Sequence, residues 1–134
     1  MKTLEVSTRQ RCQMLDVTDR VREVVSAAGL RNGYVICYVP HTTAGITIQE
    51  NADPDVTHDV LNKLAELVPH HDPGYRHSEG NSDAHIKASL LGASQVIPVK
   101  DGRLALGVWQ AIYFAEFDGP RRRQMHVQCA GVAD

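Results

Sequence analysis

The sequence predicts an α+β fold, a mainly antiparallel β-sandwich with helices packed on one face, formed by a single domain over residues 1–134. Three observations lead to this prediction. Segments with the two-residue alternation of half-buried strands dominate the chain, three other segments predict helices, and no repeat or linker divides the sequence. A hydrophobic content of 43% and a charged content of 22% are those of a soluble globular domain.

The strand predictions rest on alternation of apolar with polar or small residues, and on β-branched and aromatic side chains. Four segments show these features: residues 33–39, 44–49, 104–114 and 125–129. Turn signals occur at Asp101-Gly102 and at Asp118-Gly119-Pro120. We therefore expect residues 95–130 to form antiparallel strands joined by hairpins.

Three helices are predicted between these strands. The first covers residues 18–28 and is closed by Gly29. In the second, Asp53 is the N-cap, Pro54 takes the first position and Pro69 ends the helix. Its apolar stripe consists of Val56, Val60, Leu61, Leu64, Leu67 and Val68. The third helix is short, begins at Ser82 or Asp83 and ends before Gly92.

Composition limits the function classes. A net charge of −2 gives no indication of nucleic-acid binding, and no apolar stretch has the length of a membrane span. The three cysteines are odd in number, widely spaced and outside any C-x-x-C motif. This usage is typical of a reducing compartment, so we expect a cytoplasmic protein without disulfides.

Histidines cluster in the middle of the chain. Five of the seven are His58, His70, His71, His77 and His85. Histidine is the commonest side-chain ligand of transition metals, so the cluster is a candidate metal or acid–base site. A polar surface loop that contains imidazoles is the alternative, because the spacing matches no standard metal motif.

His85 has the most informative position, in the first turn of the third predicted helix. Unpaired backbone N–H groups and the positive end of the helix dipole disfavour an imidazolium there, and a neutral ring suits a metal ligand or a base. His77 lies in the preceding loop. The same helix start is a candidate phosphate site, with Lys87 one turn later. The alternative is that Ser82 and Asp83 merely cap the helix while His85 points into water.

Two further segments are candidate sites. His41-Thr42-Thr43 follows a predicted strand end, where hydroxyls suit phosphate, although threonine is also common in turns and strands. Asp53 is explained as a helix cap, whereas Glu50 and Asn51 have no evident structural role. They are therefore better candidates for chemistry than Asp53 is.

The only tryptophan, Trp109, precedes Gln110 on a strand otherwise suited to a core. A lone Trp is usually a core or interface residue. Gln110 and Glu116 share one parity of this strand, and two uncompensated polar groups on a buried face would be costly. They therefore indicate water, a ligand or a partner subunit.

Six motifs, in order along the chain, resemble the YjbQ-like family of secondary thiamine-phosphate synthases. They are His41-Thr42-Thr43-Ala44, Glu50-Asn51-Ala52-Asp53, Asp83-Ala84-His85-Ile86-Lys87, Ile97-Pro98, Leu104-Ala105-Leu106-Gly107-Val108-Trp109-Gln110 and Glu116-Phe117-Asp118-Gly119-Pro120-Arg121. The resemblance extends from about residue 5 to Gly131. Val108 is a small departure, because the family usually has threonine there.

The resemblance implies a homotrimeric α+β sandwich with pockets near subunit interfaces and a histidine metal site. By motif position, the metal ligands would be His41, His77 and His85, with zinc as the expected ion. The implied reaction joins a pyrimidine pyrophosphate to a thiazole phosphate and releases pyrophosphate. The name of the activity as secondary suggests an alternative, in which it is a side reaction of a site for another phosphorylated metabolite.

Roles follow from that chemistry. Glu50, His41 and His85 are the expected catalytic residues. Side chains expected to bind the substrate and its phosphates are Thr42, Thr43, Asn51, Lys87, Gln110 and Arg121. Two other classes stay open: a metal-dependent phosphoester hydrolase in which Glu50 accepts a proton from zinc-bound water, and a non-catalytic module that binds a small molecule.

Overall fold

The computed structural model describes residues 1–133. Eight strands and three helices follow one another in the order β1 (Lys2–Ser7), β2 (Gln13–Asp16), α1 (Thr18–Ala27), β3 (Asn32–Tyr38), β4 (Ala44–Glu50), α2 (Pro54–Leu67), α3 (Ser82–Leu91), β5 (Ser94–Lys100), β6 (Arg103–Leu104), β7 (Gln110–Glu116) and β8 (Arg122–Val132).

The strands form two antiparallel sheets. The larger has the order β1-β8-β3-β5-β6 and the smaller β2-β7-β4. Strand β7 is buried from Ala111 to Glu116, so both of its faces are covered. The predicted α+β class with antiparallel sheets is thus confirmed.

The main core lies between the sheets and takes side chains from both. Helix α1 adds Val21 and Val25 to the same buried cluster as Val35 of the large sheet and Phe114 of the small one. All four are essentially inaccessible to solvent. A second, smaller cluster of Ala84, Ala88, Ala115 and Phe117 fixes helix α3 against the small sheet. These contacts hold the beginning of α3 near the first residue of β4 and the last residue of β7, which pair with each other.

The two predicted hairpins have different outcomes. Asp101 and Gly102 have positive φ values of 53° and 78° and join β5 to β6, as predicted. The Asp118-Gly119-Pro120 turn does not form a hairpin, because β7 and β8 belong to different sheets. Gly119 lets the chain cross between the sheets, since a Cβ at this position would lie 2.3 Å from the carbonyl oxygen of Gln10.

Helix α2 begins as the sequence predicts. The Asp53 side chain accepts a hydrogen bond from the Asp55 N–H at 2.9 Å, and Pro54 is the first helical residue. The apolar stripe, however, is only partly covered: no residue within the helix is fully buried in the single chain, and Leu67 is 68% exposed. Among the described residues, no helix is long and apolar enough to cross a membrane.

Candidate functional site

A pocket of about 350 Å³ opens where the β3–β4 loop, the start of α3 and the β7–β8 connection meet. Polar side chains dominate its wall. The lining residues are Pro40, His41, Thr42, Thr43, Glu79, Asn81, His85, Asp118, Arg121 and Arg123, and we call this space the His41 pocket.

His41 is fixed by the edge of a strand. The last pair between β3 and β8 is Tyr38 with His126, so the backbone N–H of Gln124 lies beyond the end of β3. The His41 ring takes over as acceptor, with Nε2 at 2.9 Å from the Gln124 nitrogen. Desolvation by burial, followed by the nearby positive charge of Arg123, lowers the pKa of His41. Both effects favour a neutral ring.

A buried ion pair supports the wall of the pocket. The Glu116 carboxylate accepts hydrogen bonds from both Nε and Nη2 of Arg123, the former at 2.8 Å, and from the Thr8 hydroxyl at 2.7 Å. Glu116 is inaccessible to solvent and Arg123 is 5% exposed. Burial acts to raise the pKa of Glu116, but the hydrogen bonds from Arg123, the Asp118 N–H and Thr8 outweigh it and lower the pKa. The pair therefore remains charged.

Several hydrogens of the pocket side chains stay free to bind a ligand. Thr43 Oγ1 accepts a bond from Arg123 Nη2 at 2.8 Å, so its own hydroxyl hydrogen is available. Arg121 donates to Asp118 through Nε and Nη2 at 2.7 and 3.0 Å. The Nη1 groups of Arg121 and Arg123 have no hydrogen-bond partner within residues 1–133. Unused donors on Thr43, Arg121 and Arg123 suit an oxyanion, while oxygen atoms of Glu79, Asp118 and Asn81 border the same pocket.

The start of helix α3 forms the opposite wall. Asn81 precedes the helix, is 7% exposed, and donates from Nδ2 to Asp118 at 2.9 Å. Its Oδ1 is buried without a hydrogen-bond partner, and the side chain makes no capping bond. His85 lies in the first turn of α3, as predicted, and its partly exposed ring faces the same pocket as His41.

His77 approaches His85 but not the His41 pocket. Its ring centroid lies 5.4 Å from that of His85 in an edge-to-face arrangement, and Nε2 is 3.7 Å from a Glu79 carboxylate oxygen. His77 lines a neighbouring surface pocket together with His70 and His71, whose rings stack at 4.1 Å.

The predicted three-histidine zinc site does not fit the single chain. A zinc ligand needs a ring nitrogen with a free lone pair, and Nε2 of His41 is already used by the Gln124 N–H. Within residues 1–133, no group of three or more His, Cys, Asp or Glu side chains is placed to hold a metal ion. His77 and His85 are the two predicted ligands that remain adjacent.

Lys87 lies outside the pocket. Its ammonium is buried, 3% exposed, and lies 3.1 Å from Asp83 Oδ2. The Asp83 carboxylate also binds Arg11 through two hydrogen bonds of 2.9 and 3.0 Å. Burial acts to raise the pKa of Asp83, but Arg11 and Lys87 together lower it to about 2. The phosphate role predicted for Lys87 is at odds with this position, since its charge neutralises a buried carboxylate.

Glu50, Asn51 and Gln110 come together at a different place. Strand β4 pairs Ala44 with Glu116 at one end and Glu50 with Gln110 at the other. Six residue-to-residue steps along the strand separate these ends by about 20 Å. Gln110 Oε1 accepts a hydrogen bond from the Gly107 N–H at 2.8 Å. The Gln110 side chain thus has a hydrogen-bond partner in its own turn. Glu50 therefore does not reach His41 or His85 of its own chain.

Arg123 and Asn81 are pocket residues that we did not single out from the sequence. A signal for Arg123 was present, because it has the same parity on β8 as the buried Met125 and Val127. Asn81 had a weaker signal, its position directly before a predicted helix. The sequence marks Glu116 as a costly polar residue on a buried face, and its ion pair with Arg123 offsets that cost.

Comparisons with known proteins identify the family. Residues 2–132 match the family described as "UPF0047 protein YjbQ-like". Among curated relatives, a UPF0047 protein of Methanocaldococcus jannaschii is 51% identical over 95% of this chain and 91% of its own length. The UPF0047 protein YugU of Bacillus subtilis is 49% identical and covers 98% of this chain and 99% of itself. The chain therefore belongs to the YjbQ-like UPF0047 family.

Solved structures have the same fold. A YjbQ/UPF0047 family protein from Clostridium acetobutylicum superposes with a TM-score of 0.94 at 49% identity, over 96% of this chain and 98% of that one. A protein from Aeropyrum pernix K1 gives a TM-score of 0.93 at 41% identity, over 98% of both chains.

Proposed function

We propose that this chain is an enzyme that acts on phosphorylated small molecules in the His41 pocket. One observation carries the proposal: Thr43, Arg121 and Arg123 line one pocket and each keeps an unused hydrogen-bond donor. Donors held in place by other bonds are what a phosphate or pyrophosphate requires. The Glu116–Arg123 pair supports this role, since it keeps a guanidinium rigid at the wall.

The reaction implied by the resemblance agrees with such a site. In thiamine-phosphate formation, the lone pair of the thiazole nitrogen attacks the methylene carbon of the pyrimidine pyrophosphate. A C–N bond forms, the C–O bond breaks, and pyrophosphate leaves with the electron pair. No proton has to be removed from the nucleophile, so the remote position of Glu50 is no obstacle. The main requirement is stabilisation of the departing anion by fixed donors.

Zinc and trimer formation remain proposals that rest on the resemblance. For zinc, the described residues offer His77 and His85 as a pair. For association, support comes from apolar side chains that a single chain leaves uncovered: Val108 is 86% exposed, Trp109 61% and Leu67 68%. The hydrolase alternative gains no support within one chain, because it needs Glu50 beside a zinc-bound water.

The test is a synthesis assay with the pyrimidine pyrophosphate and the thiazole phosphate. We expect wild-type protein to form thiamine phosphate, and Arg121→Ala to lose at least tenfold in rate, since about 1.4 kcal/mol of transition-state binding corresponds to tenfold. Arg9→Ala is the matched control, because Arg9 is exposed and away from the pocket. Equal rates in the two variants, or saturable pyrophosphate binding without any turnover, would contradict the proposal; the latter would indicate a binding module.

A further inference from the structure

The backbone of β8 determines which nitrogen of His41 carries the hydrogen. The Gln124 N–H lies 2.9 Å from Nε2, so Nε2 is the acceptor and bears no hydrogen. A neutral imidazole has one N–H, which must then be on Nδ1. A ring turned by 180° would exchange Nε2 for a carbon atom and leave the strand N–H without an acceptor, which is costly.

The remaining nitrogen, Nδ1, belongs to a ring that lines the His41 pocket, where Arg121 and Arg123 also keep unused donors. His41 lines the pocket beside Thr43 and Arg123, and its Nδ1 has no hydrogen-bond partner within residues 1–133. The Thr43 hydroxyl lines the same pocket and also retains a free hydrogen, because its oxygen accepts from Arg123.

We propose that His41 acts in this pocket as a neutral hydrogen-bond donor, through Nδ1, to an anionic oxygen of the bound phosphate group, and that it is not a zinc ligand. The identity of the anion rests on the proposed function. In this role His41 neither gives up nor takes a proton. It adds a fixed dipole to an oxyanion site in which the ring orientation is set in advance by Gln124.

Nitrogen-15 NMR of the seven imidazoles tests the assignment in the ligand-free protein at neutral pH. His41→Gln identifies the His41 signals by their absence and retains an acceptor for the Gln124 N–H. We expect the Nδ1–H tautomer, with Nε2 showing the shift of an unprotonated ring nitrogen. We also expect His41 to be unchanged by stoichiometric zinc. An Nε2–H tautomer, or a zinc-induced change at Nε2 of His41, would overturn the inference.

The second part adds inorganic phosphate and, in a separate titration, pyrophosphate, with binding followed in parallel by calorimetry. The His41 Nδ1–H signal is expected to shift along the same isotherm as the heat. Phosphate that binds by calorimetry but leaves Nδ1 unmoved would overturn the donor role alone. Failure of both phosphate and pyrophosphate to bind would overturn the proposed function and the donor role together, while the tautomer in the free protein would still be measured independently.

Discussion

The Glu116 carboxylate and the Arg123 guanidinium form a buried ion pair that links strand β7 of the small sheet to the wall of the His41 pocket. Glu116 ends strand β7 and Arg123 lies near the start of strand β8, so the pair also joins the two sheets beside the five-residue connection between these strands. The same interaction thus stabilises the fold and positions a donor in the site.

Removal of Arg123 should be strongly destabilising. Arg123→Met leaves the Glu116 charge buried without its partner, which typically costs about 3–5 kcal/mol. Arg122→Met is the matched control, since Arg122 is exposed on the same strand. Chemical denaturation of both variants measures the difference, and similar unfolding free energies would show that the pair has little effect.

The pH dependence of the unfolding free energy should reveal the contribution of ionised Glu116. Its pKa in the folded protein lies below the ordinary value of 4.5, so its stabilising contribution is complete above pH 4.5 and is lost as the pH falls through the lowered value. Glu116→Gln removes this contribution. We therefore expect the difference in unfolding free energy between wild type and variant to shrink below pH 4.5. A difference that stays constant from pH 7 to pH 3 would contradict the assignment.

Lys87 should matter for stability and not for phosphate binding. Lys87→Met removes one of the two cations that lower the pKa of Asp83 to about 2, so the folded protein should be less stable. The stability that Asp83 contributes should be present above pH 3.8 and lost towards pH 2. Calorimetry of folded Lys87→Met should give the wild-type phosphate affinity. A loss as large as that caused by Arg121→Ala would place Lys87 in the site.

Fluorescence of the single tryptophan tests association. Trp109 is 61% exposed in one chain, so an isolated chain should emit as a solvated indole. If copies cover Trp109 and Val108, emission should shift to longer wavelength on dilution as sedimentation shows the mass falling to one chain. Val108→Asp should favour the smaller species. A solvated spectrum at every concentration, with the mass of a single chain, would exclude this surface as an interface.

The sequence predicts local features of the fold better than its long-range pairing. Alternation identified β3, β4, β7 and part of β8, but it missed β1 and β2 and merged β6 with β7. Asp101-Gly102 identified a hairpin because both residues take positive φ. The Asp118-Gly119-Pro120 turn carries similar residues, yet it connects two sheets. Nothing local distinguishes the two cases, since the choice depends on the burial of β7 between layers.

The same limit applies to the site. His41 and His85 were singled out separately, and the tertiary structure puts them on one pocket. The sequence motifs group Glu50 with these histidines, although strand β4 lies between them and its length predicts the separation. Lys87 lies four residues after Asp83 on one helix, so their pairing was also readable from spacing.

A crystal structure with inorganic pyrophosphate tests the oxyanion pocket most directly. The account predicts pyrophosphate oxygens within hydrogen-bond distance of His41 Nδ1, Thr43 Oγ1 and Arg123 Nη1, with the Gln124 N–H still bound to Nε2. Pyrophosphate bound elsewhere on the protein, with only water between His41 and Arg123, would contradict it.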